Sequence, residues 1–268
     1  GDRLFRNDKE VTELKYLQKK KFKLEYGDVV ERHLMDDDIV LLNRQPTLHK
    51  GSMLAQRIKI IPGKTIRMNL AITKTFNADF DGDEMNIHAL QTPQSQAEAR
   101  YLMAVKHQIV SPQSNRPVMS VIQDSLIGAY LLTDDGVTIK KSIFFDCVYS
   151  MPGWDGKLEI KDYYSGKDLI SMTLPVVNWK KGGVEILKGK LIKGQLNKKC
   201  LGTSHGSLIH VIFNDCGPDK TILFINRLQH VVHKWLHITG FSIGISDMIS
   251  SVRKEIQHEI DMAFEDVK

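Results

Sequence analysis

The stretch NADFDGDEMN, residues 77–86, sets carboxylates at Asp79, Asp81, Asp83 and Glu84 within six residues. Like charges this close repel one another unless a cation sits among them. Alternate residues of an extended strand lie about 6.6–7 Å apart. Mg2+ takes oxygens at about 2.0–2.1 Å in an octahedron. Asp79, Asp81 and Asp83 can therefore share one ion only if the chain curls around it. Gly82 supplies that freedom, because glycine adopts positive φ at little steric cost. Phe80 is apolar and is expected to anchor the loop from beneath.

Three chemistries compete for such a loop. An Asp/Asn/Gly-rich segment is often a solvated turn. A calcium-binding EF-hand also begins D-x-D-x-D but needs Gly at its sixth position and Glu at its twelfth. Counted from Asp79, those positions hold Glu84 and Leu90, so this option fails. A Mg2+ cluster for phosphoryl or nucleotidyl transfer uses a few hard carboxylates and leaves coordination positions for substrate phosphate. The residues alone leave the first and third options open.

Upstream, KFKLEY, DIVLLNR, MLAQRIKII and TIRMNLAIT read as short strands, punctuated by Asp36 to Asp38 and by Pro62-Gly63. Ile66, Met68 and Leu70 alternate onto one face, and so many short strands suggest a small closed barrel. Downstream, Thr92-Pro93 predicts an N-cap followed by proline at the first helical position, with the helix running through 97–108. A second helix is expected over 118–132, burying Val121, Ile122, Leu126 and Ile127. Residues 137–200 mix short strands and turns around MPGWDGK, with Trp154 a partly buried surface aromatic. Gly189 and Gly194 mark tightly joined strands. Residues 223–239 form a helix stopped by Gly240. His230, His233 and His237 share a helical spacing that could face a metal, but no fourth ligand accompanies them and a structural role is expected.

The length of 268 residues fits one large domain or two small ones, and 42% hydrophobic residues suffice for a core. The net charge of +5 is compatible with nucleic acid without requiring it. The basic runs at 19–21, 180–181 and 198–199 are expected to be solvated faces. Cys147, Cys200 and Cys216 are scattered, with no CxxC pair, so a disulfide framework and a zinc site are not expected and a reducing compartment fits. No run of 18 apolar residues and no signal peptide is evident. The chain begins without Met and ends in a stretch that reads as an unfinished helix, and is expected to be a piece of a longer subunit.

The decapeptide resembles the active-site loop of the largest subunit of multisubunit DNA-dependent RNA polymerases. VERHLMDDDIVLLNRQPTLHKGSMLAQRIKIIPGKTIRMNLAIT before it is similar to that family's segment leading into the loop. IVSPQSNRPVMSVIQDSLIGAYLLT, LGTSHGSLIHVIFNDCGPD and GFSIGISDMI resemble its later blocks, in the same order. These blocks cover about half of the chain and are closer to the eukaryotic, archaeal and large-DNA-virus type than to the bacterial one.

The resemblance implies an α+β fold: a double-psi β-barrel over 1–90 carrying the loop 77–86, a mixed helical and strand pore region over 91–249, and the start of a funnel-like helical region over 250–268. It implies template-directed nucleotidyl transfer, in which the RNA 3′-hydroxyl attacks the α-phosphate of an NTP and pyrophosphate leaves. Asp79, Asp81 and Asp83 would hold one Mg2+ tightly, and a second Mg2+ would arrive with the NTP. Asn77 would contact the incoming ribose. Arg44 would reach the same ribose or the RNA end, with a salt bridge to the aspartates as its other role, and Gln45 and Pro46 would shape that wall. Lys50 and Arg57 are weaker candidates for RNA or template phosphates. Gln113, Asn115 and Arg116 would buttress the loop or simply cap their own turn.

The implied partners are the second-largest polymerase subunit, the other subunits, DNA template, RNA product and NTPs, with no membrane. The family's bridge helix, trigger loop and clamp are not in this sequence, so activity is expected only in the full assembly. The implied location is a nucleus or nucleoid for a cellular enzyme, and a cytoplasmic factory or virion for a viral one. Two alternatives are an RNA-dependent RNA polymerase of the gene-silencing type, whose barrel carries a related DxDGD loop, and a non-catalytic metal-binding assembly module.

Overall fold

In the computed structural model, which describes residues 2–16, 23–149 and 151–267, the chain opens on a hairpin. Strands β1 (Arg3–Arg6) and β2 (Lys9–Glu13) are joined by Asn7 and Asp8, both at positive φ (50° and 61°). That conformation matches the strands' twist and favours Asn and Asp. Strand β3 (Val29–Glu31) pairs with the other edge of β1. Arg6 binds Asp28 through two nitrogens at 2.7 and 2.8 Å, and the Glu25 N–H donates to the same carboxylate at 2.9 Å. Arg6 and the Glu25 amide hold the Asp28 carboxyl down at about 2.

A depressed folded-state pKa contributes stability that is fully present above the ordinary Asp value of about 4 and is lost as pH falls towards 2. Amide protection in β1–β3, taken relative to the intrinsic exchange rate at each pH, should therefore fall between about pH 4 and 2, and Asp28→Asn should flatten that dependence.

The second sheet runs β5–β4–β6, with β4 at Ile39–Asn43, β5 at Met53–Arg57 and β6 at Asn86–Ala89, all antiparallel. Val40 and Leu42 alternate into the interior, and the consecutive Leu54 and Ala55 of β5 are both buried, one on each face of the strand. The strands expected in DIVLLNR and MLAQRIKII are present. The one expected in TIRMNLAIT is not, because helix α1 (Leu70–Phe76) takes its second half. The Asn69 side chain caps α1 by accepting from the Ala71 N–H at 2.8 Å. Buried Thr73 and Thr75 satisfy their hydroxyls on the Leu70 and Ile72 carbonyls, both at 2.7 Å. Of KFKLEY, residues 21 and 22 lie outside the described residues, as does the basic run 19–21, and 23–26 form no strand.

After the loop, Thr92 caps helix α2 (Pro93–Glu98) as expected, accepting from the Ser95 N–H at 3.2 Å. The helix does not continue regularly to 108. It widens into a π-turn over Ala99–Met103, breaks where Ala104 turns extended, and resumes as a 3-10 turn over Val105–Gln108. The break is tertiary: Ala104 bridges to Ala55 of β5. Strands β7 (Val110–Ser111) and β8 (Arg116–Pro117) then form a short ladder.

Helix α3 (Gln123–Leu132) starts later than expected, because the Val118 and Val121 amides donate to the distant Ile109 and Leu201 carbonyls. Val121 is buried, but Ile122, Leu126 and Ile127 are only partly so. Ser125, Gly128, Ala129 and Leu132 form the buried face of the helix instead. The reason is close packing on helix α8 (Pro218–Thr239), where a Cβ on Gly128 would sit 2.4 Å from Val232 Cγ1.

Between them run β9 (Thr138–Lys140), α4 (Lys141–Tyr149), β10 (Tyr163–Ser165) and α5 (Gly166–Ser171). A three-stranded sheet follows, made of β11 (Trp179–Lys181), β12 (Val184–Leu187) and β13 (Lys190–Lys193). Lys188 and Gly189, both at positive φ, make its tight β12–β13 turn. Short helix α6 (Lys198–Leu201) and helix α7 (Leu208–Cys216) lead into α8, which ends at Gly240 as expected. Helix α9 (Arg253–Asp266) closes the described chain.

Trp154 is partly buried and the lysines at 180–181 and 198–199 are exposed, as read from the sequence. The fold is α+β, with five small antiparallel sheets among the described residues. One apolar core runs from Leu42 and Leu54 through Phe76 and Met119 to Phe224, Leu228 and Trp235 of α8. Cys147, Cys200 and Cys216 are free thiols, and burial pushes Cys147 up to about 11. Among the described residues no helix is long and apolar enough to cross a membrane.

Candidate metal centre

The β4–β6 register sets Asn43 opposite Asn86. The chain therefore leaves β4 at Arg44 where the acidic loop enters β6. Arg44 Nε lies 2.7 Å from Asp83 Oδ2, joining residues 39 apart in sequence. Buried Asn43 fixes this corner. Its Nδ2 donates to Thr47 Oγ1 at 2.7 Å and to the Ser52 carbonyl at 2.9 Å, and its Oδ1 accepts from Asn86 Nδ2 at 3.5 Å. Sequence reasoning assigned Asn43 nothing. The available signal was a polar residue at the inward-facing end of an apolar strand.

The other end of the loop is set by α1. Asn77 is its C-cap, left-handed at φ 49° and ψ 42°, with its N–H on the Lys74 carbonyl at 3.2 Å. Asn tolerates this conformation better than most residues. The Ala78 N–H returns to the Thr73 carbonyl at 2.9 Å. Gly82 is at φ 125°, so the predicted curl is present. The loop closes on itself where the Asp79 N–H donates to Asp83 Oδ2 at 3.2 Å. Phe80 does not anchor it from beneath. It is 64% exposed, because the curl turns position 80 outward, and partly buried Ala78 and Met85 pack on the core instead.

Asp79, Asp81 and Asp83 each offer an oxygen within 4.8 Å of the others'. Oxygens held at about 2.0–2.1 Å by an octahedral ion lie roughly 3 to 4 Å apart. The set is hard, anionic and open to solvent at Asp79 and Asp81, so it fits Mg2+ with small side-chain adjustments. The electrostatics show the crowding directly. Asp79 is raised above the ordinary carboxylate value, chiefly by the hydrogen-bonded Asp81 carboxyl, then by burial and by the charges of Asp81 and Asp83. Asp83 is lowered, chiefly by Arg44 and then by the Asp79 amide.

The salt bridge read as one role for Arg44 is therefore formed. Among the described residues its Nη nitrogens make no hydrogen bond and stay available. Arg44→Ala is expected to move the Asp83 titration to higher pH, which 13C NMR of the side-chain carboxyl reads directly. An unchanged titration would mean that Arg44 does not set the charge of the loop.

Pro46, after a cis Gln45–Pro46 bond, and Asn77 are exposed beside this corner. Lys50 is exposed in a turn capped by His49. Arg57 is not brought to the loop, since it pairs with Ile39 at the opposite end of β4 from Arg44. Among the described residues no hydrogen bond runs from Gln113, Asn115 or Arg116 to the loop. The three α8 histidines do not converge on a metal, and His233 Nε2 instead lies 2.7 Å from Ser125 Oγ.

Residues 2–105 match the family model for RNA polymerase Rpb1, domain 2, and residues 108–248 match that for RNA polymerase Rpb1, domain 3. The second match alone covers more than half of the chain. The chain belongs to the RNA polymerase Rpb1 family. It is similar to DNA-directed RNA polymerase II subunits RPB1-B and RPB1-A of Trypanosoma brucei brucei, each 38% identical over 257 residues. Those alignments take in 90% of this chain and 15% of each relative, so the chain spans a small part of the curated relatives' length. The seam between the two Rpb1 matches falls in the 3-10 turn just after extended Ala104.

Proposed function

We propose that this Rpb1 segment carries the metal-holding loop of a DNA-directed RNA polymerase and serves template-directed nucleotidyl transfer within a multisubunit assembly. The observation that carries the reading is the convergence of Asp79, Asp81 and Asp83 beside an arginine with free donors. In this reading residues 1–90 belong to a double-psi β-barrel of which β4, β5 and β6 are part. Residues 91–249 form the pore region and 250–268 begin a funnel-like one.

Asp79, Asp81 and Asp83 would hold the resident Mg2+, and some of these aspartates would also serve a second ion brought by the NTP. Bound there, Mg2+ supplies Lewis acidity that makes the RNA 3′-hydroxyl more acidic and offsets phosphate charge. Arg44 keeps Asp83 ionised and aimed through Nε, and its Nη fork can donate to a ribose hydroxyl or the RNA end. The Asn77 amide can both donate and accept, which suits a ribose hydroxyl. Pro46 walls the same corner. The 3′-hydroxyl gives its proton to water, its oxygen bonds to the α-phosphorus, the bond to the bridging oxygen of the β-phosphate breaks, and pyrophosphate leaves. The second-largest subunit would complete the site on the open side. In a eukaryotic cell the place of work is the nucleus, in a prokaryotic one the nucleoid, and for a viral enzyme a cytoplasmic factory or virion.

The test is RNA primer extension by the assembly that contains this chain, offered matched DNA and RNA templates with Mg2+. Extension on DNA supports the reading. Extension on RNA alone, or none, overturns it in favour of an RNA-templated enzyme or a scaffold.

A further inference from the structure

A cavity of about 730 Å³ lies between the β4–β5 strands, α1, the 99–109 segment and α8, on the seam of the two Rpb1 matches. That volume is within the range of small-molecule sites, about 300–1,000 Å³. Its floor is apolar and buried: Ala55, Ile72, Ile109, Met119 and Ile225 are each no more than 5% exposed. Four of its polar residues satisfy one another. Lys106 pairs with Asp219 at 3.1 Å, and Asn69 Nδ2 donates to Asn226 Oδ1 at 3.1 Å.

Two lining cations remain unpaired. Arg57 and Arg100 line the cavity with no ion-pair partner among the described residues. Guanidinium groups favour carboxylate, sulfonate or phosphate forks.

We propose that this cavity binds a small amphipathic anion. Its apolar body rests on the Ile72–Met119–Ile225 floor, and its acidic head pairs with Arg57 and Arg100. The site is separate from the carboxylate loop and needs neither metal nor NTP. The inference therefore stands or falls independently of the proposed catalytic role.

The experiment is a fluorescence titration of the whole 268-residue chain with 8-anilinonaphthalene-1-sulfonate, which joins an aromatic body to one anionic head. N-phenyl-1-naphthylamine, the same body without the sulfonate, is the comparison. A saturable component is expected that weakens at least tenfold in the exposed-rim double variant Arg57→Gln/Arg100→Gln and at least tenfold for the neutral analogue. Ile225→Trp, which fills the floor, should abolish it. The double variant alters exposed side chains only, so it decides the matter even if Ile225→Trp does not fold. Equal titrations for the wild type and the double variant, or equal binding of the neutral analogue, would overturn the proposal.

Discussion

Asp81→Ala is expected to lower Mg2+-dependent RNA extension by the assembled polymerase about a thousandfold or more. The size follows from what the carboxylates are asked to do. A metal acting as Lewis acid and charge clamp is worth several kcal/mol at the transition state, and each 1.36 kcal/mol is tenfold in rate. Asp81 is exposed in the loop and, among the described residues, makes no hydrogen bond to backbone, so its removal should leave folding nearly untouched. Chain stability and rate should thus separate cleanly. Titration with Mn2+ as a paramagnetic stand-in should show saturable binding that disappears when Asp79, Asp81 and Asp83 are all changed to Asn. A variant that still extends RNA at the wild-type rate would remove this loop from the chemistry.

Phe224→Ala is expected to destabilise the chain by about 3–5 kcal/mol, the usual cost of emptying a large buried aromatic site. Phe224 is 1% exposed on α8 and belongs to the core that joins both Rpb1-matched segments. Domains have only about 5–15 kcal/mol in total, so the loss is a large fraction of what holds the two segments together. Urea unfolding of the chain measures it. A shift below about 1 kcal/mol would show that the core relaxes into the space. Leu228 and Trp235, on the same buried stripe, would then be where the packing is decided.

The features set by local chemistry could be read directly. The Asp79–Asp83 curl, the Thr92-Pro93 start, the Gly189 turn and the Gly240 stop each follow from one residue's backbone preference. The failures are places where a distant partner decided. Ala104 breaks its helix to meet Ala55, and Val121 stays outside the helix to meet Leu201. α3 turns small residues inward because α8 approaches too closely for large ones. The missed α1 is different in kind: its cap, Asn69, is local, but the alternation of Ile66, Met68 and Leu70 reads as a strand. At the site, the carboxylates were legible as a set, whereas the outward position of Phe80 and the work of Asn43 depend on β4–β6 pairing that no short window contains.

Arg44 also changes the order in which such a site can be made. Four acids in six residues would ordinarily spring apart until an ion arrived, so that assembly had to wait on supply. Here a strand delivers its own cation to Asp83, and the two are locked by the same ladder that sets Asn43 against Asn86. The nest can be finished first and loaded afterwards, and in the proposed role a shortage of Mg2+ would leave it empty rather than unravel it.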